Sequence, residues 1–281
     1  MLTLFTTPKP FTGHYEVIQR NALRSWKALG PGFQVILMGN EPGAAQVAGE
    51  LGLRHLPDIP RNEYGTPLLS GLFALAQARS DTPYLCYINA DMLMLSDFRG
   101  ALQQVARRKS RFLMVGQRCN FDQTTLLDFS GDWEADFRGR VQERGKLDRP
   151  TAIDYFVFRR GMWGEIPPFA IGRTAFDNWL IYRARSLHIP VVDVTQGVLA
   201  VHQNHDYNHT PGIAPGTKAY KWIWDGPEAR HNRALAGGRG SSFTIWDATH
   251  VLDAAGLHPR KPDTGLGGGI WSYRRSTNLA V

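Results

Sequence analysis

Apolar positions in the first ninety residues fall into two patterns: short unbroken runs, and longer stretches spaced at three and four. Leu2 to Thr6 is a run of the first kind and predicts a strand. Tyr15 to Leu29 is of the second kind and predicts a helix with Ile18, Ala22, Trp26 and Leu29 on one face. A second strand, Phe33 to Gly39, is followed by a helix from about Gly43 to Leu51 and a short strand from Leu53 to Leu56. The alternation then repeats. Thr66 is placed to cap a helix with Pro67 in its first position and Leu68, Leu69, Leu72, Phe73 and Ala76 as its buried stripe, and Tyr84 to Ile88 is the next strand. Nearly all-apolar strands separated by amphipathic helices imply a parallel sheet covered on both faces.

From about Arg111 to His209 the pattern is mixed. Phe112 to Gly116 and Ile153 to Phe158 read as strands, and Phe176 to Leu187 reads as a helix with Phe176, Trp179, Leu180 and Leu187 inward. This stretch is expected to continue the same sheet. Past His209 the chain is rich in Gly, Pro and Arg, with breakers at Gly237-Gly238 and Gly267-Gly268-Gly269, and predicts an irregular wrapping tail with one helix near Glu228 to Leu235. The fold class is therefore α/β, a mixed, mostly parallel sheet flanked by helices. It divides at residues 1–100, 101–210 and 211–281, the first two being halves of one domain. No internal repeat is evident.

Composition narrows the function classes. With 43% hydrophobic and 20% charged residues over 281 positions, disorder and fibrous repeats are excluded. A formal charge of +7 favours anionic ligands. The basic residues sit in short groups such as Arg107-Arg108-Lys109, Arg159-Arg160 and Arg274-Arg275, without the aromatic-interleaved stripe that nucleic-acid binding calls for. Peripheral contact with a membrane surface stays open. Cys86 and Cys119 are the only cysteines, which excludes a disulfide framework and suits a reducing compartment. No apolar stretch is long enough to span a bilayer and no leader pattern opens the chain, so a cytoplasmic protein is expected.

In parallel α/β sheets ligands bind at the carboxyl ends of the strands. Attention therefore falls on Thr6, Thr7 and Lys9 after the first strand, on Gly39, Asn40 and Glu41 after the second, and on Asn89 and Asp91 after Tyr84 to Ile88. An acid in so apolar a setting as Asp91 needs a divalent metal or a basic side chain to offset its desolvation; its other reading is a turn cap. His202, His205 and His209, with Asp206, crowd three imidazoles and a carboxylate into eight residues, a metal-binding composition that matches no zinc template. Asp177 opens a predicted helix after Gly172, as a general base or as a first-turn charge. Asp154 interrupts an aromatic strand, and Arg118 follows another, placed to meet a phosphate or Asp91. Arg61 to Thr66, including Asn62 and Gly65, leads into a helix amino terminus, a natural anion site.

Taken in order, these pieces resemble the GT-A class of nucleotide-sugar glycosyltransferases, over roughly residues 2–209. The resemblance implies a donor nucleotide lying over Thr6, Thr7 and Lys9, with Asn62, Gly65, Thr66, Asn89, Asp91 and Arg118 also toward the nucleotide sugar. It implies a divalent cation, Mn or Mg, on Asp91 with His202 and His205, and Asp177 as the base that deprotonates a hydroxyl acceptor, with inversion. Residues 1–100 become the nucleotide-sugar half and 101–210 the acceptor and catalytic half. Asp154, Tyr155, Asn178 and Trp179 fall to the acceptor side, and Tyr155, Phe156, Trp163, Trp179 and Tyr207 are candidates to stack on sugar faces. One departure stands out: Asn89 occupies the place of the first acid of the usual Asp-x-Asp pair. Three other classes share parts of the pattern: a sugar-phosphate nucleotidyltransferase, a metal-dependent hydrolase built on His202 to His209, and a non-enzymatic carbohydrate-binding module.

Overall fold

In a computed structural model, which describes residues 1–205 and 224–261, the alternation forms a nine-stranded sheet. Its first half comprises strand β1 (Leu2–Thr6), helix α1 (Gly13–Ala28), β2 (Phe33–Met38), α2 (Ala44–Leu51), β3 (Arg54–Leu56), α3 (Leu69–Arg79) and β4 (Tyr84–Ile88). Strands β4, β1, β2 and β3 are adjacent and parallel. Their register puts the ends of β1 and β4 side by side, with Phe5 opposite Tyr87.

The second half holds β5 (Met92–Leu93), α4 (Ser96–Arg108), β6 (Leu113–Val115), β7 (Cys119–Phe121), α5 (Trp133–Arg144), β8 (Lys146–Leu147), β9 (Tyr155–Arg159), α6 (Phe176–Ser186), β10 (Val191–Asp193) and β11 (Val201–Gln203). Strand β9 runs antiparallel between β4 and β6, so it starts where both of those end. Strands β5, β11, β7 and β8 form a separate four-stranded sheet in which β11 is antiparallel to β5, with His202 opposite Met92.

Side chains alternate across the large sheet as the strand period requires. Leu2, Leu4, Cys86 and Ile88 join α1, α2 and α4 in one core, and Phe5, Leu85 and Tyr87 join α3 and α6 in the other. A third, smaller core lies between the small sheet and α5. Each face of the large sheet is thus sealed, and the carboxyl edge is where polar groups collect. Both cysteines are buried free thiols. Among the described residues no helix is long and apolar enough to cross a membrane.

Two expectations are corrected here. Thr66 caps no helix: Arg61 bridges Pro67 and Leu68 bridges Ala170, which keeps the chain extended, and α3 starts at Leu69. The region expected to wrap irregularly also carries regular structure. Helix α7 (Pro227–Leu235) is the one expected near Glu228 to Leu235; the unexpected part is that β12 (His250–Asp253) pairs in parallel with β10 before closing a hairpin with β13 (Gly256–Pro259). The glycine repeat at 267–269 and Arg274-Arg275 lie outside the described residues.

Candidate active site

Asp91 follows β4 by three residues, and β11 folds back against β5 so that the Gln203 amide donates to the Asp91 carbonyl at 3.2 Å. That pairing brings together residues over a hundred positions apart. Asp91 Oδ2 lies 3.1 Å from His205 Nε2 and 3.7 Å from His202 Nε2. One ligand atom from each of the three residues falls within 4.8 Å of the others. Burial alone would raise the Asp91 pKa, but His202, His205 and Arg118 outweigh it and hold the carboxyl at about 2. Burial pulls His202 below its ordinary value despite Asp91, so at neutral pH the imidazole is neutral, the state that offers a lone pair.

Three observations show that this donor set fits a divalent cation. Asp91 Oδ1 and His202 Nδ1 are buried with no hydrogen-bond partner among the described residues. A carboxylate with two imidazoles is a donor set for Mn or Zn more than for Mg, which prefers oxygen throughout. The third is an outer partner: the Tyr15 hydroxyl lies 3.2 Å from His205 Nδ1, with the rings 5.2 Å apart. With Nε2 as a ligand, Nδ1 carries the proton and donates to Tyr15, the outer contact that orients metal-binding histidines. His14, whose Nε2 donates to the Asn204 carbonyl at 3.0 Å, ties α1 to the same loop. Neither residue carries a local sequence signal; both follow the β1 loop into α1. Asp206, Tyr207, Asn208 and His209 lie outside the described residues.

Beside the cluster runs the loop after β1. The buried Thr6 hydroxyl has no partner among the described residues, and Thr7 is half-buried. Gln19 holds the Lys9 backbone from both sides, accepting from its amide and donating to its carbonyl at 3.0 Å. Lys9 keeps solvent-exposed surface, yet crowding by protein atoms and the nearby Arg173 guanidinium lower its pKa against the pull of Asp91 and Glu41. The ammonium therefore feels the attraction of Asp91 and Glu41 and the repulsion of Arg173.

Asp177 enters α6 behind a left-handed Ala175, φ 88°. Its Oδ1 accepts from the Asn178 amide at 2.9 Å. Burial, reinforced by the Asp154 carboxylate, pushes its carboxyl up to about 6. Tyr87, 2% exposed at the end of β4, feels Asp154, Asp91 and Asp177 together, and with burial they push its phenol far up. The three acids thus surround one ring.

Several expected contacts are not available. Arg118 donates to Asp154 Oδ2 at 2.6 Å and to Asp148 Oδ2 at 2.9 Å, so its guanidinium is committed to carboxylates rather than to a phosphate. Asn89 donates to the other Asp154 oxygen at 2.8 Å. The loop from Arg61 to Thr66 closes on itself: Asn62 Oδ1 accepts from the Tyr64 and Thr66 amides, Arg61 pairs with Glu41 at 2.9 Å, and Gly65 turns left-handed. The Leu68 and Leu69 amides entering α3 donate to the Pro60 and Phe169 carbonyls. Tyr155 is fully buried against Phe98, and its hydroxyl sits where a Cβ on Gly116 would lie, 2.1 Å away; it is a core residue. Phe156 and Trp163 are equally buried, and Trp179 packs on Phe169. The Asn178 amide donates to the Phe243 carbonyl at 2.6 Å.

No family model matches the chain, and no curated protein matches it. Solved structures do match at low identity. TarS 1–349 from S. aureus aligns at 9% identity and TM-score 0.48, over 72% of this chain and 60% of that one. Glucosyl-3-phosphoglycerate synthase from Mycobacterium tuberculosis, in complex with Mn2+, uridine diphosphate and glucosyl-3-phosphoglycerate, aligns at 13% and 0.48, over 85% and 81%. The mannosyltransferase PcManGT from Pyrobaculum calidifontis, in complex with GDP-Man and Mn2+, aligns at 10% and 0.46, over 74% and 58%. The chain thus spans 60% of the TarS chain's length.

Proposed function

We propose that this chain is a GT-A type glycosyltransferase that moves a sugar from a nucleoside-diphosphate donor to a hydroxyl acceptor, with inversion. The observation that carries the reading is the convergence of Asp91, His202 and His205 at the carboxyl ends of β1 and β4, next to Lys9. A dinuclear oxygen-rich anion such as a diphosphate needs positive charge at that edge, and this cluster is built to hold it.

Asp91, His202 and His205 would hold a divalent cation, Mn in preference to Mg, whose charge would neutralise the departing diphosphate. The positive charge of Lys9, favoured by Asp91 and Glu41, acts on the same group. The loop after β1 takes the nucleotide, with the Thr6 hydroxyl as an open hydrogen-bonding group. As the acceptor oxygen bonds to the anomeric carbon, the bond to the diphosphate oxygen breaks and its electron pair leaves with the phosphate. The acceptor proton passes to Asp177. A carboxyl at about 6 suits this role, because it is ionised at neutral pH and is a stronger base than an ordinary aspartate.

Thermal-shift measurements with UDP, GDP, CDP and dTDP, each with and without Mn2+ or Mg2+, test the reading. One nucleotide is expected to raise the melting temperature, more so with metal, and Asp91→Ala should lose the metal increment. Stabilisation that ignores metal would remove Asp91 from its role; no stabilisation at millimolar nucleotide would overturn the reading. In the assay of transfer, Asp177→Asn should lower kcat by about 10²–10⁴-fold and remove the acid limb of the pH profile near 6.

A further inference from the structure

Helix α7 lies far along the chain from β4 and α6, yet its polar side chains bond to the segment that leads into α6. Glu228 and Asn232, one turn apart, share that face. Glu228, its side chain 3% exposed, accepts from Asn62 at 2.7 Å and from Arg173 at 2.9 and 2.7 Å. Asn232 is fully buried. It accepts from the Ala170 amide at 2.9 Å and donates to the Ala170 and Thr174 carbonyls at 2.9 and 3.1 Å. Past α7, the Phe243 carbonyl takes the Asn178 side chain.

Apart from Asn62, these partners all fall on one short stretch, Ala170 to Asn178, which contains the left-handed Gly172 and Ala175. An alanine in that region is strained by its Cβ and persists only where its surroundings enforce it. The carbonyl just before Ala175 is the one that Asn232 holds, and Asp177 stands two residues after it. We infer that the segment from α7 to Phe243 positions Asp177: Asn232 enforces the turn at Ala175, Glu228 fixes Arg173 beside Lys9, and the Phe243 carbonyl anchors the start of α6. Glu228 and Asn232 are positioning residues, since neither touches the reacting atoms. The inference rests on Asp177 being the base, as proposed above.

The groups facing Asp177 from the sheet are Asp154 and Tyr87, and neither belongs to the stretch that Asn232 holds. Carbon-13 NMR titration of the Asp177 carboxyl in the full chain, without ligand, therefore reads its placement directly. The wild type is expected to titrate near 6. In Asn232→Ala the turn relaxes, water reaches the carboxyl, and the midpoint should fall by about one pH unit or more. Adding Ala175→Gly, which adopts the left-handed conformation without a Cβ penalty, should restore part of the shift. Should Asn232→Ala fail to fold, Glu228→Gln provides the same readout with a smaller expected change. An unchanged Asp177 midpoint in a folded variant overturns the inference.

Kinetics supply the second arm. Asn232→Ala should lower kcat by about 10–10²-fold with donor KM nearly unchanged, because displaced chemistry rather than lost binding is at stake. A shifted midpoint in a protein that no nucleotide stabilises would keep the positioning role and sink the transferase reading. Nucleotide-dependent transfer with an unmoved midpoint would do the reverse.

Discussion

Two charged clusters sit at the same edge of the sheet, and they are built in opposite ways. Around Asp91 the donor atoms are left open: Oδ1 and His202 Nδ1 have no partner among the described residues, and both Nε2 atoms aim at one carboxylate oxygen. Around Asp154 the charged groups satisfy one another. Its two oxygens go to Asn89 and Arg118, and Asp148 takes Arg118 and Asn120. Burying polar groups without partners is costly, so an open set that also gathers three metal-ligating side chains points to a ligand. The saturated set holds strand ends together. The open set is where chemistry is possible.

Substitutions should separate the two. The largest effect is expected at the open cluster, where Asp91→Ala should lower transfer by about 10²–10³-fold, with a smaller loss of apo-protein stability because the fold favours the charged carboxylate. Steady-state rates and urea unfolding of the same preparation check both halves. At the saturated cluster the order reverses. Arg118→Ala leaves Asp148 and the nearly buried Asp154 unpaired, and should cost about 2–3 kcal/mol of stability, somewhat less than a fully buried pair because Arg118 retains some exposure.

Asn89→Asp sharpens the contrast. It would install the carboxylate that GT-A enzymes commonly carry, but here within hydrogen-bonding distance of Asp154. The paired acids should raise each other's folded pKa, which removes stability as pH rises; about 1–2 kcal/mol should be lost at pH 7 and little near pH 4. Unfolding at the two pH values decides it, and an unaffected stability would mean that Asn89 is not tied to the saturated set.

The smallest effect concerns Asp177. Its carboxyl titrates near 6 when folded, against the ordinary 3.8, so the native state binds the proton more tightly. Stability from this group is present below the unfolded pKa and is lost as pH rises through 6. Asp177→Asn should accordingly stabilise the protein by about 1–2 kcal/mol at pH 7 and not at pH 4. A variant that is more stable and less active would mark Asp177 as a group kept for function. Equal stability at both pH values would say that the carboxyl is not strained.

Local pattern determined most of the first half of this protein. Leu2 to Thr6 and Tyr84 to Ile88 form the strands that their apolar runs predict, and Lys9 and Asp91 follow the ends of those strands in the sequence itself. The density of histidines pointed to His202 and His205, because imidazoles seldom cluster without a role. Tertiary structure decided which polar groups met. Arg118 and Asp154 read as independent candidates until β9 entered antiparallel between β4 and β6 and paired them. The Asp91 cluster exists because β11 joins β5 in a second sheet, and the Ala170 to Thr174 segment is held because α7 returns to it. Periodicity reports which face of an element is buried. It does not report which distant carboxylate a guanidinium will find, since that depends on competition among partners that only the folded chain brings within reach.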